Sequence, residues 1–248
     1  MSYFYFQSKK IYYAETGNGK PALFLHGNTA SSRMFEPILP LYTKDFRVIC
    51  MDFLGYGKSD RLEKFPPDIW REEAGQVIAL LEHLQLEKAH LVGTSGGAWV
   101  AINAALERAD LVDKVVADSF DGRTLGADFS ENLLRERENA KKDRMARGFY
   151  QWCQGEDWER VVDLDTEALV RCAAERLPLF VKPLCRLQAP LLLMGSEKDE
   201  MLRRDFQQEY RAIAAETGAA ITLFSAGSHP AILSSAEQAA EAIFRFLK

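Results

Sequence analysis

Two periods of hydrophobicity take turns along this chain. Short apolar runs at residues 21–25, 46–51, 89–92, 114–118, 190–194 and 220–224 stop at glycines or polar loops. Runs of this length between turn residues read as buried strands. Between them, residues 68–84 set Ile69, Val77, Ile78, Leu80, Leu81 and Leu84 largely at helical spacing, and residues 98–107, 201–216 and 234–247 also read as helices. Residues 9–16 alternate like an exposed strand leading into the turn Gly17-Asn18-Gly19-Lys20, and residues 31–42 read as a helix interrupted by prolines. Strands alternating with helices predict an α/β fold with a doubly wound, mostly parallel sheet.

The alternation stops between about residue 121 and residue 183. Residues 131–153, 157–164 and 166–177 read as helices, and no strand pattern occurs among them. A helical insertion at 121–183 is therefore expected between two parts of one core, residues 1–120 and 184–248. An insertion over the sheet's carboxyl end buries one face and lines a pocket with another, so Phe149, Trp152 and Trp158 are candidates for either packing or substrate contact. Lys141, Lys142, Arg144 and Arg147 are interleaved with Glu138 and Asp143, the pattern of a solvated helix face.

Composition narrows the function classes. With 248 residues and 47% apolar content the chain is long enough for one large domain with a sizeable core. A net charge of −5 speaks against nucleic acid or an anionic membrane as partner. No apolar run approaches the roughly 18–20 residues that span a bilayer, and the polar-studded start lacks the run of a secretory signal, so a soluble, cytoplasmic protein is expected. Cys50, Cys153, Cys172 and Cys185 show no paired spacing of zinc or redox sites. No metal and no cofactor are expected, and nothing in the pattern speaks to oligomeric state.

The candidate chemistry begins at Gly93-Thr94-Ser95-Gly96-Gly97, which joins a buried strand to an apolar helix. A G-x-S-x-G turn is so tight that its flanking residues must lack bulk, and it lifts the serine hydroxyl above the sheet. The motif alone arises by accident in about one chain in twenty of this length. Its serine needs a base, and His229, in the loop after the last strand, lies at a carboxyl strand end where open α/β sheets bind ligands. The base needs a carboxylate: Asp199 follows the strand at 190–194, with Glu197 and Glu200 on the same loop and Asp118 or Asp121 after the preceding strand as rivals. The amide of Gly96 and the amide of Asn28, in the loop after residue 25, are candidate oxyanion donors, and the Asn28 side chain is a further candidate. His26, beside that loop, is expected to orient backbone rather than to move protons.

These segments carry a resemblance. His26-Gly27-Asn28, Asp52-Phe53-Leu54-Gly55-Tyr56-Gly57-Lys58-Ser59, the elbow, residues 195–199 and Gly227-Ser228-His229 resemble the α/β-hydrolase superfamily over essentially the full chain. Phe65-Pro66-Pro67-Asp68-Ile69-Trp70 and the compact helical cap resemble the valacyclovir-hydrolase-like small esterases. That group carries an aspartate directly after the nucleophile to help hold an amino-ester, where this chain has Gly96. The stretch His26-Gly27-Asn28-Thr29-Ala30-Ser31-Ser32 also resembles the haloalkane dehalogenases, whose nucleophile is a carboxylate where this chain has Ser95. The resemblance implies a cofactor-free serine hydrolase of a small carboxylic ester, amide or thioester. Carbon–carbon hydrolysis or perhydrolysis by the same triad, and non-catalytic binding of a small molecule, are the alternatives.

Overall fold

Neighbouring residues of each central strand feed two separate cores, which is why these runs show no polar side. In the computed structural model, which describes residues 2–248 and leaves Met1 of the expected core outside, Leu23 and Leu25 of β3 (Lys20–Leu25) belong to one core and Ala22 and Phe24 to the other. The same division separates Ile49 from Val48 in β4 (Phe46–Met51), Leu91 from Val92 in β5 (Ala89–Thr94), Val115 from Val116 in β6 (Val112–Asp118) and Leu193 from Leu192 in β7 (Leu191–Ser196). Side chains alternate with a period of two, so a strand covered on both faces must be apolar throughout.

With β1 (Ser2–Phe6), β2 (Lys9–Thr16) and β8 (Ala220–Phe224), the sheet has eight strands in the order β1-β2-β4-β3-β5-β6-β7-β8. The β1–β2 and β2–β4 pairs are antiparallel and all others parallel. Sequence periodicity gave no sign of β1. Its run of aromatics masks the alternation, because Phe4 is buried while Tyr3 and Tyr5 face solvent.

Helices cover both faces. α2 (Ile69–His83), α3 (Gly96–Glu107) and α7 (Phe206–Thr217) pack into the first core, and α1 (Leu39–Tyr42), α8 (Ala231–Ser234) and α9 (Ala236–Leu247) into the second. The expected helix at 31–42 is instead a 3₁₀ turn, Ser32–Phe35, followed by the single turn of α1, as Pro37 and Pro40 dictate. The expected helix at 201–216 starts at Phe206. Asp199 and Asp121 take the backbone amides of Met201 and Arg203 and hold that stretch as a loop. The last helix divides into α8 and α9 at Ser235.

Between β6 and β7 lie α4 (Phe129–Lys142), α5 (Arg144–Gln154) and α6 (Trp158–Ala174). The expected helix at 131–153 breaks at Asp143, whose Oδ1 accepts from the amides of Met145 and Ala146 and caps α5. The two expected helices at 157–164 and 166–177 are one. Asp165, where the two expected helices divide, is buried, as is Thr166, whose Oγ1 donates back to Val162 O at 2.7 Å within the helix. Asn103 of α3 receives the chain on its return, donating to Leu179 O and accepting from Val181 N, both at 2.8 Å.

Candidate active site

Strand β3 lies between β4 and β5, and α1, which follows β3, and α3, which follows β5, cover opposite faces. The loops leaving β3 and β5 therefore diverge and open a crevice at their carboxyl ends. Asn28 stands on one side of that crevice and Ser95 on the other.

Ser95 adopts φ 53° and ψ −123°, a strained conformation that costs on the order of 1–3 kcal/mol and survives only where its surroundings enforce it. Ser95 N donates to Asp118 O at 2.8 Å, and Ala98 N to Ser95 O at 3.0 Å. A Cβ at Gly93 would lie 2.0 Å from Gly97 O, and one at Gly97 would lie 2.3 Å from Leu25 O, so neither position admits a side chain. The serine stands against the β3 loop: a Cβ on Gly27 would come within 2.9 Å of Ser95 Cβ. Gly96 opens α3, placing its amide at the positive end of the helix dipole.

His229 Nδ1 donates to Asp199, 2.9 Å from Oδ2 and 3.1 Å from Oδ1, which leaves Nε2 for the cavity that His229 and Ser95 both line. Burial disfavours the charged ring. The hydrogen bond and charge of Asp199, with the more distant charges of Asp118 and Glu136, outweigh that and raise the pKa of His229 above its ordinary value. The rival acids are engaged elsewhere. Asp121 Oδ1 accepts from Arg203 N at 2.9 Å. Asp118 accepts from Thr94 Oγ1 at 2.8 Å, Ile232 N at 3.1 Å and Ser119 Oγ at 3.2 Å, and burial pushes its pKa up to about 6. Glu197 and Glu200 are exposed.

Asn28 reaches the crevice with its side chain committed. Trp70 Nε1 donates to Asn28 Oδ1 at 2.9 Å, and Asn28 Nδ2 donates to Asp165 Oδ2 at 2.7 Å. An indole N–H only donates and a carboxylate only accepts, so the amide's orientation is fixed by its partners. One N–H of the side-chain amide is taken by Asp165, and the backbone amide is the candidate donor to the crevice that needs no side-chain rearrangement. His26 organises the same loop: Nδ1 donates to Gly27 O at 2.8 Å and Nε2 accepts from Phe53 N at 3.1 Å. Complete burial lowers its pKa and keeps this ring neutral.

The cavity of about 660 Å³ has Trp70, Trp99 and Phe120 on the core side and Leu133, Arg137 and Leu169 on the insert. The indoles of Trp70 and Trp99 stack with centroids 4.2 Å apart. Phe149, Trp152 and Trp158 do not line this cavity. Phe149 and Trp152 pack against the second core, where α5 is tied down by Arg33 Nη1 donating to Trp152 O, and Trp158 stacks on Tyr150 inside the insert. The insert's contribution comes instead from α4 and α6. Phe129, Leu133 and Arg137 recur every four residues along α4 and line the cavity beside the polar Asn132 and Glu136, and that spacing was the available sign.

A mostly parallel sheet with a serine elbow, and a His–Asp pair at two later strand ends, is the architecture of the α/β-hydrolase fold. Residues 22–242 match the model of the alpha/beta hydrolase family, and the chain belongs to that family. Haloalkane dehalogenase 2 of Mycobacterium tuberculosis is 34% identical over 108 residues, which are 43% of this chain and 37% of the dehalogenase. The 2-(acetamidomethylene)succinate hydrolase of Mesorhizobium japonicum is 37% identical over 106 residues, 43% of this chain and 37% of that one. The chain thus matches these curated relatives over less than half of their length. The meta-cleavage product hydrolase of Pseudomonas fluorescens IP01 shares the fold with a TM-score of 0.77 at 19% identity, covering 97% of this chain and 94% of that one. No helix among the described residues is long and apolar enough to cross a membrane.

Proposed function

We propose that this chain is a serine hydrolase that cleaves a small carboxylic ester through an acyl-enzyme. The observation that carries the proposal is the pairing of His229 with Asp199 at 2.9 Å beside a strained serine in one cavity. Ser95 Oγ attacks the carbonyl carbon while His229 Nε2 takes its proton, and the tetrahedral oxyanion lies between the amides of Gly96 and Asn28. Collapse expels the leaving alkoxide, which receives the proton from His229. Water, deprotonated at the same nitrogen, then attacks the acyl carbon, and the second collapse returns the proton to Ser95 and frees the acid. Asp199 fixes the His229 tautomer and stabilises its cation throughout. The helical insert acts as a cap that shapes the acyl and leaving-group pockets.

Dehalogenation through an alkyl-enzyme ester needs a carboxylate at position 95, which is serine here. A carbon–carbon hydrolase would use the same residues, and the meta-cleavage product hydrolase among the fold's relatives makes it the second reading. Fluorophosphonate labelling tests the nucleophile: wild type should label, and Ser95→Ala should neither label nor turn over ester. Equal labelling of the two proteins sinks the proposal. A panel of chromogenic esters beside a vinylogous diketone acid then separates the two bond types.

A further inference from the structure

One buried carboxylate of the insert reaches the oxyanion loop and has no part in the triad. Asp165, in the middle of α6, is fully buried. Its Oδ2 accepts from Asn28 Nδ2 at 2.7 Å and from Tyr56 OH at 2.6 Å, and the guanidinium of Arg137 stands 3.5 Å from its Oδ1. Because Trp70 holds the other end of the same amide, the Asn28 side chain is clamped between α2 of the core and α6 of the insert. The rest of the loop is gripped from the same side. Arg137 Nη1 donates to Thr29 Oγ1 at 3.0 Å, and Gln154 Nε2 donates to Thr29 O at 3.0 Å and Ala30 O at 2.7 Å. Thr29 itself is held at φ 58°, a conformation a threonine adopts only under constraint. Replacing a buried ion pair with apolar packing is often neutral or stabilising, so stability is a poor reason for Asp165 and Arg137 to be here.

We infer that Asp165 is a positioning residue, which holds the Asn28 backbone amide at the oxyanion site so that the seating of the insert on the core governs the chemical step. The inference rests on the serine-hydrolase reading. It assigns Asp165 an effect on the transition state and little on ground-state binding, because an oxyanion exists only in the former.

The test is steady-state kinetics of Asp165→Ala on a p-nitrophenyl ester, with the rate of fluorophosphonate labelling of Ser95 measured beside it. Expected is a fall in kcat of about 10- to 100-fold with KM within about threefold, and labelling slowed by a similar factor, since phosphonylation also builds charge on an oxygen in that site. Asp165→Asn, which keeps an acceptor for Asn28, should recover most of the rate. Asp165→Ala leaves Arg137 without its ion pair, so the double variant Asp165→Ala/Arg137→Met removes both charges and should show the same loss of kcat and labelling in a folded protein. Wild-type kcat and labelling in either folded variant, or a change confined to KM, overturns the positioning role. Failure of wild type to label at Ser95 would instead sink the hydrolase reading.

Discussion

Replacing Gly96 by alanine should separate stability from catalysis. Position 96 opens α3 with no left-handed backbone, and alanine is favoured over glycine in helices by up to about 1 kcal/mol. The new Cβ, however, would lie 2.1 Å from Asn28 Oδ1 and 2.8 Å from Trp70 Nε1. The Asn28 amide cannot simply swing aside, because hydrogen bonds of 2.9 Å and 2.7 Å hold its two ends. Losing both leaves a buried indole N–H and a buried carboxylate short of a partner, at about 2–4 kcal/mol together, so after the helix gain the net destabilisation is about 1–3 kcal/mol, or roughly 2–12 °C in Tm for a domain of this size. Catalysis should suffer more. Displacing Asn28 withdraws one oxyanion donor, which is worth about 100- to 1000-fold in kcat, or about 2.7–4 kcal/mol. Gly148 supplies the control: it lies in α5 with nothing within 4 Å of an added Cβ, so Gly148→Ala should leave kcat unchanged and raise Tm. The assay is initial rates on a chromogenic ester beside calorimetric melting. A Gly96→Ala protein with kcat within about threefold of wild type would refute the assignment of Asn28 as oxyanion donor.

The pH profile follows from His229. The base works when neutral, so kcat/KM rises as pH passes its ionisation. Its pKa is raised, so the rise should centre above about 6.5, the ordinary histidine value, and a midpoint clearly below that contradicts the Asp199 pairing. Asp199→Asn should cost about 10⁴-fold in kcat and move the midpoint down, as titration of rate against pH will show. Asp121→Ala should leave kcat within about threefold, because that carboxylate serves the Arg203 amide rather than His229; a loss of 1000-fold would transfer the acid role to it. Asn103→Ala orphans the carbonyl of Leu179 and the amide of Val181 and should destabilise by about 2–4 kcal/mol in urea unfolding, with an unchanged midpoint refuting its role as anchor of the insert.

What could be read from the chain alone depended on how local the constraint was. The elbow is written in five residues, with Gly93 required by Gly97 O inside the motif and Gly97 by Leu25 O of β3, and the strands in continuous apolar runs fed to two cores. The pairing of Asp199 with His229 could be anticipated because each follows a strand end, a position rather than a contact. The faces of the insert could not. Whether Trp152 lines a pocket or packs is decided by the 3₁₀ turn at Ser32–Phe35, over a hundred residues earlier, to which Arg33 ties the backbone of α5. Asp165 was still less visible: its partners Asn28 and Tyr56 lie 137 and 109 residues away, and in the sequence it resembles a helix break. Asp143 does end a helix, by capping the next one, and nothing in the periodicity tells the two aspartates apart.

The strain in the backbone shows what the fold is built to hold. Ser95, Thr29 and Ser119 all lie just past carboxyl strand ends beside the cavity, and all have φ between 53° and 58°. Conformations of this kind cost on the order of 1–3 kcal/mol each and persist only where surrounding bonds over-determine them. The bonds that do so converge on few groups. Asp118 gives its carbonyl to the amide of Ser95 and its carboxylate to Thr94 and to Ile232 N, while Ser119 Oγ accepts from Ala231 N. One turn at the end of β6 therefore fixes both the elbow that carries Ser95 and the segment that follows His229. Asp165 and Gln154 do the corresponding work at Asn28 and Thr29, but from the insert. Ser95 and the segment after His229 are set by the sheet, whereas the Asn28–Thr29 loop is set by the sheet and the insert together. On the proposed serine-hydrolase reading, a change in how the insert seats would thus alter stabilisation of the transition state before it disturbed the triad.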